Sequence, residues 1–267
     1  MTSAGDNRFQ DFFENEKYVA LKNYLYNYLL RKRAVEQAMR NERKGVVLEV
    51  GSGLSPVLTS WGRTVYSDLS FSALATLRRL HGKGHYVVAD GMHLPFKADV
   101  FSHVISSEVL EHLEDDRKAL HEIADVITPG GGLVVTFPHR RFYFANDDRF
   151  VHHHRRYELS EMTSRLQEAG FHPVSIRKIL GPLEKITMML VTECLSIGQR
   201  TKDKQGKGKQ LDGEIQSYRS GWLLRLYRWA NRFYAGLAWI DARVMPCALS
   251  TVLLIKAVKR NNHRASS

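Results

Sequence analysis

A chain of 267 residues, 43% apolar and 25% charged, can bury one good core and hold one domain with an elaboration, which excludes a disordered or collagen-like polymer. The net charge of +11 is uneven: between Arg200 and Arg260 stand thirteen Lys and Arg against four Asp and Glu, so the remainder is near neutral. Two cysteines, Cys194 and Cys247, without a CxxC pair argue against a disulfide scaffold or a zinc site.

In chain order, the start shows no charged-then-apolar signal pattern, and no apolar run reaches the ~20 residues that span a bilayer. A cytoplasmic protein, peripheral on a membrane at most, is expected. Residues 8–41 read as helix, with apolar positions from Phe12 to Leu29. Val46-Val47-Leu48-Glu49-Val50 then reads as a buried strand that stops at Gly51 and Gly53. Glycines there let the backbone turn sharply and let a ligand lie against it, and a helix is expected to follow. The sum is the nucleotide-binding corner of a doubly wound α/β sheet. Pro56 occupies the last glycine position of a dinucleotide fingerprint, and no Gly-Lys-Ser/Thr is present, so neither a dinucleotide site nor a P-loop fits. A second strand, 63–67, ends at Asp68, where a carboxylate can accept both hydroxyls of a ribose. A third, 85–89, ends at Asp90, placed to take an adenine amino group.

Further strands are expected at 101–106 and 132–137, with helices near 71–81 and 114–126 and a Pro129-Gly130-Gly131-Gly132 turn into the fifth strand. Ser107, Glu108 and His112 follow strand four, and His112 reads better as a packing or capping residue than as a base. The stretch after strand five, from His139 to Tyr157, is long for a compact domain and lies at the strand ends, which marks it as functional. Its His152-His153-His154 run invites a metal reading, but neighbours on a strand point to alternate faces, so no metal is expected. A helix at 159–169, N-capped by Ser160, precedes strand six at 174–179. Strand seven, 250–257, comes only after an insertion of some 70 residues. That insertion holds an apolar helix at 183–197, a polar Lys/Gln/Gly segment at 198–213 read as mobile, and an amphipathic helix at 222–241. This last helix sets Arg225, Arg228 and Arg232 on one face and Leu223, Tyr227, Ala230, Phe233, Tyr234 and Leu237 on the other.

Leu48–Gly53, Asp68-Leu69-Ser70, Ala89–Phe96 and Asp99–Val104 stand in the order and spacing of the class I S-adenosylmethionine-dependent methyltransferases, and the chain most resembles the type 11 small-molecule group over roughly residues 42–180. Ser55 departs from the third glycine usual there. The resemblance implies a Rossmann-like seven-stranded sheet with helices on both faces, an N-terminal helical cap (1–42), a core (43–182 and 249–260) and a helical insertion or lid (183–248). It implies S-adenosylmethionine as cofactor, held by Glu49, Gly51, Ser52, Gly53, Asp68, Leu69, Asp90, Gly91, Met92, Ser107 and Glu108. The chemistry of methyl transfer asks for an acceptor held in line and, at oxygen or carbon, a proton acceptor. His139, His153 and His154 are the candidates, with Arg155, Arg156 and Tyr157 as acceptor-binding residues. The expected acceptor is a small molecule: a lipid, quinone precursor or lipid-linked sugar, methylated at oxygen, with segment 217–241 as a peripheral membrane contact. An RNA or protein methyltransferase and a catalytically silent cofactor-binding subunit are the alternatives. Nucleic-acid base chemistry is disfavoured because strand four lacks an Asn/Asp-Pro-Pro-aromatic run and no cysteine stands at a strand end.

Overall fold

The computed structural model describes residues 23–190 and 221–261. Its centre is one seven-stranded sheet in the order β3-β2-β1-β4-β5-β7-β6. The strands are β1 (Val47–Val50), β2 (Thr64–Asp68), β3 (His85–Val88), β4 (Phe101–Ser107), β5 (Ile127–Pro138), β6 (Phe171–Leu180) and β7 (Val252–Lys259). The helices are α1 (Tyr26–Met39), α2 (Phe71–His81), α3 (Asp116–Val126), α4 (Asn146–Phe150), α5 (Leu159–Glu168) and α6 (Gly221–Val244), with a further helical segment at 182–190. β1 to β5 run parallel, and β7 pairs antiparallel with both β5 and β6. Parallel strands buried on both faces need continuous apolar runs, and β1 is buried along its whole length.

One face of the sheet packs Leu120, Ile123, Met162 and Leu166 from α3 and α5. The other packs Tyr28, Val35 and Met39 of α1 and Ala238 of α6 against Val47, Ile105, Val134 and Leu254. The helix expected over 8–41 begins, in the described part, at Tyr26; residues 1–22 lie outside the described residues, as do 198–213 and the end of the helix expected to reach Ile197.

Local chemistry sets the boundaries. Ser70 caps α2 by accepting the Ala73 N–H at 3.2 Å, and Gly82 ends it at φ 65°. Asp115 caps α3 by accepting from Lys118 N at 2.9 Å. The N-cap of α5 is Glu158 rather than Ser160, with Glu161 reaching back to the Glu158 N–H at 3.5 Å. The Pro-Gly-Gly turn is absorbed into β5, which begins directly after α3 and accommodates Gly130 at φ 73° with a register shift opposite Phe101–His103. The helix expected after the glycine loop is absent: residues 51–61 are turns and bends. Glu49 supplies the reason. Its buried carboxylate accepts N–H bonds from Val57 at 2.7 Å and Leu58 at 3.2 Å, satisfying donors that a helical start would leave open.

The long segment after β5 is fixed by one acid. Asp148 is buried and accepts from Arg156 Nε at 2.7 Å, Lys185 Nζ at 2.8 Å, His153 Nδ1 at 2.9 Å and Ala145 N at 3.0 Å. Burial alone would raise its carboxyl pKa, but His153, Arg156 and Lys185 outweigh that and hold it well below the usual range. Asp147 takes the remaining donors of Lys185 at 2.7 and 2.8 Å. Replacing Asp148 by Asn leaves buried cations short of their counter-charge. A loss on the order of 3 kcal/mol is expected in urea unfolding, larger than for a surface Asp→Asn control.

Candidate active site

The carboxyl ends of β1, β2, β3 and β4 meet along one edge, where open α/β sheets bind ligands. Gly51 (φ 68°) and Gly53 (φ 51°) turn the chain left-handed after β1, and a Cβ on Gly51 would overlap the Val109 side chain. Asp68, at the end of β2, accepts from Gly53 N at 2.8 Å and from Ser70 N at 2.9 Å. The glycine loop and the β2 end are thereby locked together around one carboxylate, with Leu69 exposed beside it. At the end of β3, Asp90 accepts from Met92 N at 2.8 Å and from the His93 ring at 3.2 Å, and its backbone forms a bridge with His93 around Gly91. Ser52 is buried, and its Oγ has no hydrogen-bond partner among the described residues. Glu49 faces the loop rather than the edge, and burial pushes its carboxyl up to about 8 against the pull of the Val57 and Leu58 N–H groups.

After β4, Ser107 Oγ lies 2.8 Å from Thr136 Oγ1. Glu108 takes φ 56°, unusual for a residue with a side chain, with its N–H donating to Thr136 O at 3.1 Å. A short 3-10 turn, Leu110–His112, follows.

The residues expected around the acceptor are divided. His139 sits at the end of β5, buried, its Nδ1 2.9 Å from Ser250 O; burial pushes its pKa down, so it is neutral near pH 7. His154 is exposed, and its N–H donates to Glu111 O at 2.9 Å. His153 is turned inward onto Asp148. Arg155, Arg156 and Tyr157 are engaged by the protein itself rather than presented to a ligand. Arg155 donates to Asp116 and to the carbonyls of Leu113 and Glu114 at 3.0–3.2 Å. Arg156, buried, donates to Asp148, His139 O and Thr251 O. Tyr157 is fully buried and donates to Asp116 at 2.6 Å. The reason is charge matching: Asp116 and Asp148, whose roles the sequence did not announce, are buried acids needing cations. The histidine run is not a strand, so the argument from alternating faces does not apply; His153 comes together with Glu111 and His112, a grouping the sequence reading missed. The signal lay in Glu108-Val109-Leu110-Glu111-His112 directly after a strand end.

Residues 48–135 match the family described as "Methyltransferase domain". The demethylmenaquinone methyltransferase of Streptomyces griseus is 30% identical over 110 residues, 40% of this chain and 48% of that protein. The chain thus spans about half the length of this curated relative. Among solved structures, the Haloferax volcanii protein solved in complex with the Trm112 methyltransferase activator superposes with a TM-score of 0.61 at 16% identity, over 97% of this chain and 98% of that one. A phosphoethanolamine N-methyltransferase 2 of Haemonchus contortus, in complex with S-adenosyl-L-methionine, superposes at 0.57 with 19% identity over 97% of this chain and 60% of that one. The sheet order and these superpositions give the chain the fold of the solved methyltransferases, and residues 48–135 carry the match to the methyltransferase-domain family. The Haemonchus neighbour holds S-adenosyl-L-methionine.

The residues present fit that group. Gly51 allows the left-handed turn and the close approach of Val109 that shape the loop, Ser52 keeps a buried hydroxyl unused, and Asp68 and Asp90 stand at successive strand ends. Gly51→Ala forces a side chain into a left-handed turn and onto Val109. A loss of about 1–2 kcal/mol in urea unfolding is expected, together with at least a tenfold weaker affinity for S-adenosylhomocysteine by calorimetry.

Proposed function

We propose that this protein transfers the methyl group of S-adenosylmethionine to an oxygen of a small amphipathic acceptor: a lipid, a quinone precursor or a lipid-linked sugar. The observation that carries methyl transfer is the lock of Asp68 onto Gly53 and Ser70, which sets a carboxylate beside the glycine turn. In this reading Asp68 holds the ribose hydroxyls, Asp90 the adenine amino group, and Ser107 and Glu108 border the methionine part. S-adenosylmethionine supplies a methyl group already activated by its sulfonium. The protein's own task is to hold the acceptor in line and take its proton. Of the three histidines considered, His139 is held neutral by burial at a strand end, the state a proton acceptor needs.

An amphipathic acceptor is supported by α6. The structure buries only a narrow strip of this helix, Ala238 and Ala242, with Tyr234 partly covered. Trp222, Leu226, Trp229, Phe233, Leu237, Ile240 and Val244 are exposed among the described residues, at spacings of three and four that align them along the helix. Trp229 and Phe233 stack at 5.8 Å, and Arg225, Arg228, Arg232 and Arg243 flank them. Aromatics and leucines beside arginines suit the interface of an anionic membrane. No described helix is long and apolar enough to cross one. The Streptomyces relative is named for a quinone precursor, and the same class is proposed here.

Calorimetry with S-adenosylhomocysteine tests the cofactor assignment: micromolar binding is expected, and Asp68→Ala is expected to abolish it while the protein stays folded. For the membrane reading, the Trp229→Ser/Phe233→Ser pair is expected to lose flotation with phosphatidylglycerol vesicles while keeping cofactor affinity. Equal flotation of both proteins would remove α6 from the account.

A further inference from the structure

Glu111 is completely buried in the 3-10 turn after β4, and neither of its carboxylate oxygens accepts a hydrogen bond from another described residue. Such a group costs on the order of several kcal/mol unless something compensates it. Arg31 and Arg156 lie near enough to favour its charge, but neither pairs with it, and Glu108 opposes it.

What faces Glu111 is a pair of imidazoles. His153 Nε2 stands 3.8 Å from Glu111 Oε1, too far for a hydrogen bond. The His112 and His153 ring centroids are 4.8 Å apart, inclined at 66°. One donor atom from each of Glu111, His112 and His153 falls within 4.8 Å of the others. Both rings are oriented from behind through Nδ1: His153 by Asp148 Oδ1 at 2.9 Å, His112 by His152 O at 3.3 Å. The turn and the loop are pinned together by the His154 N–H on Glu111 O.

We propose that Glu111, His112 and His153 form a binding site for a divalent transition-metal cation, with the carboxylate and the two Nε2 atoms as ligands. Ligands bound to one ion at ~2.0–2.2 Å lie roughly 3–4 Å from each other, so the 3.8 Å gap suits two atoms sharing a metal and is too long for a shared proton. A carboxylate behind one ligating histidine and a backbone carbonyl behind the other is the support such ligands use. Two imidazoles with one carboxylate favour Zn²⁺, Co²⁺ or Mn²⁺ over Mg²⁺ or Ca²⁺, which take oxygen ligands. Three protein ligands leave coordination positions open. If the site transfers methyl groups as proposed above, an acceptor oxygen can occupy one, where the cation would lower its pKa and aim it.

The binding test needs neither acceptor nor turnover. Protein stripped with a chelator is titrated with CoCl2 and followed by the visible d–d absorption of the bound ion, then with ZnCl2 and MnCl2 by calorimetry. One equivalent is expected. His112→Gln and His153→Gln are each expected to weaken binding at least tenfold, and Glu111→Gln to abolish the cobalt spectrum. His112 is half-buried, unlike the fully buried Glu111, so His112→Gln stays informative if the other variants fail to fold. No saturable binding by folded protein, or binding unchanged in His112→Gln, would overturn the proposal and leave Glu111 as a buried neutral acid. S-adenosylhomocysteine titrations on the same samples separate the two readings. Cofactor binding without metal binding sinks the cation site alone, and metal binding without cofactor binding sinks methyl transfer alone.

Discussion

A buried carboxylate cannot stand alone in a protein interior, and Asp148 shows how much structure that constraint can dictate. Its charge draws Arg156 and His153 from one end of the loop after β5, Ala145 from the other, and Lys185 from a segment 37 residues further on. The loop therefore folds back on itself and is clamped to residues 182–190 through Lys185. Asp116 does the same on a smaller scale for Arg155, Tyr157 and Arg165. Between them the two acids use up the cations of the Arg155-Arg156 pair.

The strand-end edge divides into two kinds of chemistry. On the β1–β3 side, carboxylates are held by backbone N–H groups: Asp68 accepts from Gly53 and Ser70, and Asp90 from Met92. On the β4–β5 side, side chains hold one another. Glu108 is strained, Ser107 and Thr136 share a hydrogen bond, and the turn carrying Glu111 and His112 is bound to the histidine run. The first half of the edge is organised by backbone donors, the second by side chains that hold one another.

Legibility in the sequence follows the range of the interactions. The strands, α2 and the glycine turn were readable because burial, capping and positive φ are decided within a few residues, as at Ser70, Gly82 and Gly51. The absent helix after Gly53 was not, because it is replaced by bonds to Glu49, whose carboxylate could as well have faced the edge. Arg155, Arg156 and Tyr157 looked like acceptor ligands because nothing in His-His-His-Arg-Arg-Tyr names partners 39 and 41 residues away. The pairing of His112 with His153 has the same cause: both positions are visible in the sequence, their meeting is not. On α6 the amphipathic pattern was plain, but which apolar strip touches the sheet depended on small residues, Ala238 and Ala242, that a hydrophobicity pattern underweights.

Strand β7 is the last in the chain yet lies between β5 and β6. During synthesis both neighbours emerge with an open edge, and the strand that closes them follows only after the whole insertion has been made. Val252 pairs with Pro138, more than a hundred residues earlier, and with Leu180, more than seventy earlier, so both ladders must wait for residues 252–259. A nascent or truncated chain lacking residues 252–259 would expose two unsatisfied strand edges at once, a template for association with other copies. The position of this one strand ties closure of the sheet to the synthesis of residues 252–259, after the other six strands have been made.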